Sequence, residues 1–314
     1  MSAANLGIIG QRLEELARRV PGKTALVEAN ASVDYARLES RTRAIAAQVI
    51  AAAGIPPGFA ALLFETKLPA VEAMFGTLRA GHAYVPLDAG DPDERLRFIL
   101  ADSRPAVLLT DSGRYERACA LARSGCAVID IGRMEPPDET LVLPDVPPQA
   151  RAYLLYTSGS TGQPKGVSQT VDNLRFFADA YVKALRITEA DRLSLLFAVN
   201  FAGSLMHIFG SLFTGATLCA YDMRRDGIPR LADWLDRERI TVLHTIPTIF
   251  RELCNSLAPE RRLAHLRGID IGGEAAFASD FEMFCSHTLD HCMLVNHLAA
   301  TENDIIAQHV VGHG

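Results

Sequence analysis

The sequence of 314 residues lacks several features by which whole classes of protein are recognised. Its six cysteines include no CxxC pair, and the chain is too long for a small disulfide scaffold, so reduced thiols in a cytoplasmic protein are expected. A net charge of 31 − 37 = −6 without a long basic run argues against nucleic acid or an anionic membrane as the main partner. We find no secretory signal pattern and no apolar run long enough to cross a bilayer.

Lysine is also scarce. Of the 31 cationic residues only four are lysines, at Lys23, Lys67, Lys165 and Lys183, and the rest are arginines. One of the four, Lys165, lies in a very polar loop, which raises the question of what that lysine does.

Short β-branched runs alternate with helical patterns along most of the chain, for example at residues 83–87, 106–110 and 127–131. Strands that are apolar throughout and alternate with helices predict an α/β fold with parallel sheets covered on both faces. Between residues 132 and 149, five of the sixteen prolines predict an irregular surface connection.

The loop that holds Lys165 follows the apolar strand pattern of residues 152–155 and spans residues 156–166, with the sequence YTSGSTGQPKG. Glycines allow consecutive backbone N–H groups to point into one concavity, and hydroxyl groups add further donors for an anion. Lys165 would supply one mobile positive charge. The loop therefore predicts a phosphate cradle, although a solvated turn between two strands would also account for its glycines and serines.

A Walker loop is the obvious alternative, and the spacing excludes it. That motif needs glycine directly before its lysine and a hydroxyl residue directly after, where this chain has Pro164 and Gly166. A P-loop kinase or ATPase is therefore disfavoured.

The loop instead resembles the signature of the acyl-adenylate-forming enzymes, which include acyl-CoA synthetases, luciferases and the adenylation domains of nonribosomal peptide synthetases. Further matches follow in the family's order as GSLFTGATL, IPTIF, IGGEAA and NHLAATE, and residues 78–110 resemble peptide-synthetase adenylation domains in particular. The resemblance implies a layered αβαβα body built from two sheet-and-helix subdomains. It places residues 1–55 and 188–314 in one subdomain and residues 56–187 in the other.

The resemblance also implies a reaction, in which a carboxylate attacks the α-phosphorus of ATP to give acyl-AMP and pyrophosphate with the aid of Mg²⁺. Thr301 would contact the α-phosphate and Glu302 would hold Mg²⁺; the implied catalytic residues are Thr157, Lys165, Thr301 and Glu302. The implied nucleotide-binding residues are Thr157, Ser158, Gly159, Ser160, Thr161, Gly162, Lys165, Gly272, Gly273, Glu274, Asn296, Leu298 and Thr301. A phosphopantetheinyl carrier protein or coenzyme A would accept the acyl group in natural-product biosynthesis.

The chain departs from the family's pattern in two regions. Leu298, Ala299 and Ala300 stand where an aromatic residue and Gly-Pro are usual, so the protein offers adenine no aromatic ring to stack on at this position. Amino-acid-activating members carry an aspartate at the position of Ala202, where it pairs with the substrate ammonium. Since a buried ammonium without a counter-ion is costly, we expect an aryl, keto, hydroxy or acyl acid, or an amino acid whose amine lies elsewhere.

The acid pocket implied by the resemblance combines small residues with two histidines, and its register is open by one residue. Its predicted lining is Asn200, Ala202, Gly203, Met206, His244, Ile271 and His297. A separate cluster of Cys285, His287, His291, Cys292 and His297 matches no familiar zinc spacing, so metal binding there is not favoured.

The chain ends twelve residues after Glu302. Full members of the family continue through a small β-barrel and a mobile carboxy-terminal domain, which supply a ribose-binding aspartate and a catalytic lysine. The sequence thus predicts the core of an adenylating enzyme with weak activity of its own. The alternative is a non-catalytic module of the same fold that binds a partner.

Overall fold

The computed structural model of the protein describes residues 9–54, 57–134, 142–158, 164–302 and 304–313. The helices are α1 to α11, at Ile9–Arg19, Tyr35–Ala53, Lys67–Arg79, Asp93–Ser103, Tyr115–Leu121, Val171–Leu185, Gly203–Thr214, Met223–Asp226, Leu231–Arg237, Pro247–Asn255 and Ala278–His287. The strands are β1 to β14, at Thr24–Glu28, Ala31–Asp34, Phe59–Phe64, Ala83–Asp88, Val107–Thr110, Ala127–Asp130, Arg151–Ser158, Pro164–Thr170, Arg192–Leu195, Thr217–Ala220, Val242–Thr245, Gly268–Gly272, Met293–Ala300 and Asp304–Val311. None of the helices in these ranges is long and apolar enough to cross a membrane.

Two sheets with flanking helices confirm the predicted α/β class. Six strands form one sheet in the order β6-β5-β3-β4-β7-β8, and eight form the other in the order β14-β13-β12-β11-β9-β10-β1-β2. Neighbouring strands of the six-stranded sheet run parallel except β7 and β8, which form an antiparallel hairpin. In the eight-stranded sheet β14 runs antiparallel to β13, while β1, β10, β9, β11, β12 and β13 run parallel.

The described residues form two compact units. The first unit takes the described residues within 1–24, 33–176 and 198–201, and the second takes those within 25–32, 177–197 and 202–314. The resemblance implied that residues 1–55 accompany residues 188–314. In the described part of that segment, residues 9–24 and 33–54 group with the first unit, because α1 and α2 pack on its helix α3.

Buried charges hold these three helices together. Helix α3 is buried along most of its length, and its Arg79 donates hydrogen bonds to Glu14 of α1 and Glu39 of α2, both at 2.8 Å. Arg41 of α2 donates to the buried Glu72 of α3 at 2.7 Å. A buried charge without a partner is costly, so α3 requires both neighbours.

In the second unit, one carboxylate joins the starts of three parallel strands. Asp191 precedes β9 and accepts hydrogen bonds from Thr241, which precedes β11, at 2.7 Å and from Arg267, which precedes β12, at 2.7 and 2.6 Å. The Thr188 amide donates to the same carboxylate at 2.7 Å. Burial alone would raise the pKa of Asp191, but these hydrogen bonds, led by that of Arg267, outweigh it and lower the pKa below its ordinary value.

Replacing Asp191 by asparagine tests this junction. Because the folded-state pKa is depressed, the ionised carboxylate stabilises the protein above its unfolded-chain pKa of about 3.9 and ceases to do so as the pH falls through the folded value. We expect Asp191→Asn to lower the free energy of unfolding by roughly 3 kcal/mol at pH 7, with the difference from the parent protein shrinking below about pH 4. Urea unfolding of both proteins between about pH 3 and pH 7 measures this difference in the free energy of unfolding.

Asp233→Asn is the matched control, because Asp233 pairs with Arg261 while its side chain is 73% exposed. Its effect should stay within about 1 kcal/mol at every pH. Equal effects of the two substitutions would contradict the assigned role of Asp191.

Candidate functional site

The predicted phosphate loop is the connection of the β7–β8 hairpin. The last described pairs on either side of it are Thr157 with Lys165 and Ser158 with Pro164. Thr157 is half-buried and Lys165 is exposed, so the ammonium group is accessible to a ligand. The predicted residues between these pairs lie outside the described part of the chain: Gly159, Ser160, Thr161 and Gly162.

The base of the hairpin is fastened to helix α4. The phenol of Tyr156 donates a hydrogen bond to Asp102 at 2.6 Å, and burial together with that carboxylate raises the pKa of Tyr156. Gly166 pairs with Tyr156 across the hairpin, and a Cβ at Gly166 would approach Leu154 to 2.9 Å and the Tyr156 ring to 3.4 Å. Glycine at this position therefore leaves room for the side chain of Leu154 beside the Tyr156 ring.

In the second unit, a tight turn follows β12 at the predicted adenine-binding residues. Gly273 has a φ of +80°, a backbone conformation that favours glycine. The carboxylate of Glu274 accepts hydrogen bonds from the amide and the hydroxyl of Thr248, at 3.0 and 2.6 Å, in the first turn of α10. Glu274 thus caps α10, and the turn presents the backbone of Gly272 and Gly273 at the carboxyl end of the sheet.

The neighbouring strand β13 carries the remaining predicted nucleotide residues. Asn296 is half-buried and Leu298, two residues further along the same face, is 62% exposed. Thr301 is half-buried and Glu302 is exposed, and both follow the end of the strand. Since β12 and β13 are parallel, these residues and the Gly272–Glu274 turn lie at the same edge of the sheet.

Asn200 falls in the first unit, whereas the other predicted acid-pocket residues fall in the second. Ala202 and Gly203 begin α7, and Met206 is buried on the same helix. Ala202 stands directly before α7 and makes no side-chain hydrogen bond to the helix. The start of α7 therefore has no carboxylate at the position where the resemblance implies an aspartate in amino-acid-activating enzymes.

The strand register shows which of the predicted pocket residues share one face of the sheet. His244 pairs with Asp270, and His297 pairs with Gly272, so His244, Asp270 and His297 share one face of the sheet. Ile271 points to the opposite face and joins the hydrophobic core with Phe250 and Phe284. The residue of β12 on the histidine face is therefore Asp270, because neighbouring side chains of a strand alternate between the two faces.

The carboxylate of Asp270 is fully buried between the two histidines. Its oxygens lie 2.7 Å from Nδ1 of His244 and 2.8 Å from Nδ1 of His297. Burial alone would raise the pKa of Asp270, but the two histidines outweigh it and keep the carboxylate ionised. Burial lowers the pKa of His244 below its ordinary value.

A further histidine, which the sequence did not single out, completes this group. His207 of α7 is fully buried, with its ring centroid 3.3 Å from that of His244 and 5.3 Å from that of Tyr181. Burial, followed by the neighbouring His244, lowers the pKa of His207 well below its ordinary value. The sequence feature that could have pointed to His207 is the presence of a histidine within the otherwise apolar stretch of residues 205–209.

The cysteine–histidine cluster near the end of the chain is arranged differently. Nδ1 of His287 contacts the carbonyl oxygen of Arg261 at 3.0 Å, Cys292 is buried, and His291 is exposed. His297 contacts Asp270 instead of these residues. Among the described residues, the group of potential ligands close enough to share one metal ion is His207, His244 and Asp270.

The chain is similar to known proteins over almost its whole length. The profile of the family described as "AMP-binding enzyme" matches residues 13–313. The delta-poly-L-ornithine synthetase of Acinetobacter baumannii (strain AB307-0294) is 31% identical over 293 residues, which cover 93% of this chain and 21% of that protein. The chain thus spans about a fifth of the length of this curated relative.

Solved structures share the fold. A crystal structure of the nonribosomal peptide synthetase FmoA3 matches with a TM-score of 0.84 and 25% identity, over 97% of this chain and 32% of that one. The N-terminal subdomain of Klebsiella oxytoca NpsA, in complex with 3-hydroxybenzoyl-AMSN, matches with a TM-score of 0.81 and 21% identity, over 97% of this chain and 76% of that one. At 21% identity, the second match shows the fold alone.

A double-mutant cycle tests the packing of His297 over β12. A Cβ at Gly272 would overlap the His297 ring, so we expect Gly272→Ala to lower the free energy of unfolding by about 1–3 kcal/mol. In the background of His297→Ala the same substitution should cost less, with a coupling energy of at least about 0.5 kcal/mol. Denaturant unfolding of the four proteins measures both values.

Gly312→Ala serves as the control, because no atom of the described residues lies within 4 Å of a Cβ placed there. Its effect should be near zero. Additive effects of Gly272→Ala and His297→Ala would contradict the close approach of the two residues.

Proposed function

The chain belongs to the AMP-binding enzyme family, and we propose that it is the core of an ATP-dependent enzyme that activates a carboxylic acid as its acyl-adenylate. The observation that carries the proposal is the β7–β8 hairpin, where Lys165 is exposed opposite Thr157 on a base anchored by Tyr156.

The proposed reaction transfers the adenylyl group of ATP to the acid. A carboxylate oxygen attacks the α-phosphorus, a new O–P bond forms, and the bond from that phosphorus to the bridging oxygen breaks, so that pyrophosphate leaves with the electron pair. Positioning the reactants and neutralising charge at phosphorus are the main contributions a protein makes to such a step.

The residues of the hairpin fit the triphosphate. The Lys165 ammonium and the Thr157 hydroxyl would donate hydrogen bonds to the β- and γ-phosphates, where negative charge increases as pyrophosphate departs. In the second unit, Thr301 would donate to the α-phosphate. These assignments are supported by the exposure of Lys165 and by the position of Thr301 just beyond the end of β13.

The carboxyl edge of the second sheet fits the nucleoside and a magnesium ion. Asn296 would offer its amide to the adenine edge, while Leu298 and the backbone of Gly272 and Gly273 would pack against the base. Glu302 is an exposed carboxylate next to Thr301, and oxygen ligands of this kind suit Mg²⁺, which supplies charge neutralisation at the phosphates when bound.

We propose that the acid is not an ordinary α-amino acid. Ala202 leaves the start of α7 without the carboxylate that would pair with an α-ammonium group. The buried Asp270 does not replace it, because both of its oxygens lie within 2.8 Å of a histidine nitrogen. An aryl, keto, hydroxy or acyl acid, or an amino acid whose amine lies elsewhere, fits this composition.

The acyl group would then pass to a thiol. The curated relative and the FmoA3 structure are both synthetases, which favours a phosphopantetheinyl carrier protein over coenzyme A as the acceptor. We place the activity in natural-product biosynthesis in the cytoplasm.

Acid-dependent exchange of pyrophosphate into ATP tests the function. On the protein produced from the complete gene, we expect exchange with at least one aryl, keto, hydroxy or acyl acid and only background exchange with the common α-amino acids. Exchange with an α-amino acid alone would contradict the proposed substrate class. Silence with every acid would favour a non-catalytic binding module.

Replacing Lys165 by alanine tests the hairpin separately. Loss of a charge-assisted hydrogen bond worth about 1.5–3 kcal/mol should weaken Mg·ATP binding by about 10- to 100-fold. Lys183→Ala is the matched control, since Lys183 is an exposed lysine on α6. Calorimetric titration measures both, and unchanged affinity in Lys165→Ala would refute the assigned role of this lysine.

A further inference from the structure

Three buried side chains in the second unit converge from a helix and two neighbouring strands. His207 comes from α7, His244 from β11 and Asp270 from β12, and one potential ligand atom from each lies within 4.8 Å of the other two. All three are at most 3% exposed. Groups of this kind are found inside proteins when they are paired, hydrogen-bonded or bound to a metal.

Hydrogen bonds among the described residues leave His207 unsatisfied. Neither of its ring nitrogens has a hydrogen-bond partner there. Nδ1 of His244 and Oδ2 of Asp270 pair with each other at 2.7 Å, so the unmet polar groups of the cluster are those of His207. Each unmet buried polar group costs about 1–3 kcal/mol, so the protein alone leaves a substantial cost at one point.

We propose that His207, His244 and Asp270 form a binding site for one divalent transition-metal ion of the zinc class. A metal ion accepts an electron pair from each imidazole and from the carboxylate, and so provides a partner for one ring nitrogen of the buried His207. Its double positive charge also compensates the buried negative charge of Asp270.

The ligand set indicates which metals fit. Two imidazole nitrogens with one carboxylate oxygen suit Zn²⁺, Co²⁺ and Ni²⁺, whereas Mg²⁺ and Ca²⁺ prefer oxygen ligands alone. Zinc ligands at about 2.0–2.2 Å from the ion lie roughly 3.4 Å apart in a tetrahedron. The ligand atoms of the cluster lie within 4.8 Å of one another, and Nδ1 of His244 and Oδ2 of Asp270 lie 2.7 Å apart, so binding an ion requires local adjustment of these side chains. Three protein ligands leave one position open for water or for a donor atom of another molecule.

His297 contributes to the site by orienting a ligand. Its Nδ1 contacts Oδ1 of Asp270 at 2.8 Å, which leaves the other oxygen, Oδ2, directed toward His244. Gly272 makes this contact possible, because any side chain there would overlap the His297 ring. Hydrogen-bond partners of metal-binding carboxylates fix their orientation, and their loss commonly weakens metal binding by about 10- to 100-fold.

This inference does not depend on the adenylation reaction. The cluster shares His244 with the predicted acid pocket, but it uses side chains of the second unit only and includes neither Lys165 nor Glu302. A failure of acid-dependent exchange would leave the metal site standing, and a metal-free protein would leave the adenylation proposal standing.

Metal binding by the 314-residue chain is tested without an activity assay. After treatment with a chelator and its removal, the protein is titrated with Co²⁺ and then with Zn²⁺. We expect one equivalent of Co²⁺ to produce a visible d–d absorption band, Zn²⁺ to abolish the band by displacement, and each metal to raise the Tm. No band and no change in Tm with either metal would overturn the proposal.

Conservative variants locate the site. His207→Gln and Asp270→Asn should each weaken Co²⁺ binding by at least 100-fold, and His297→Gln by about 10- to 100-fold. His265→Gln and His291→Gln, which replace exposed histidines, should leave it unchanged. Circular dichroism confirms that each variant folds, and binding that survives in folded His207→Gln and Asp270→Asn would place the metal elsewhere and refute the site.

Discussion

The burial of a single carboxylate, that of Asp270, determines how the second unit is built around its central strands. An ionised group without contact with water must be compensated by its neighbours, and here those neighbours are His244 on the preceding strand of the sheet and His297 on the following one. The two histidines require space on the same face, and Gly272 provides it for His297. The buried polar side chains on this face of the sheet are therefore explained by the single charge of Asp270.

The two ends of the parallel strands in this sheet have different roles. At their amino ends, Asp191 collects hydrogen bonds from Thr241 and Arg267 and aligns three parallel strands. At their carboxyl ends, the backbone turns at Gly273, and Glu274 closes the first turn of α10. The hydrogen bonds that fix the sheet thus lie at one edge, and the residues proposed to bind the nucleoside lie at the other, where α/β sheets bind ligands.

Much of the fold could be predicted because its signals are local. Apolar runs alternating with helical patterns predicted parallel sheets, and the composition of residues 156–166 placed a phosphate loop where the structure has the β7–β8 hairpin. The lining of the pocket was harder to predict from the sequence, because a shift of one residue along a strand exchanges the side chains on its two faces. Ile271 was expected to line the pocket with His244 and His297, and the register places Asp270, not Ile271, on the same face as these two histidines.

The fold class, the polar loop with its lysine, and the resemblance that led to the family could be predicted from the sequence, because they depend on the order and spacing of neighbouring residues. The packing of α1 and α2 on α3, and the position of His207 beside His244 and Asp270, became visible in the folded chain. Those residues are tens of positions apart in the chain. Their proximity depends on helix packing and strand register, which a linear pattern does not encode.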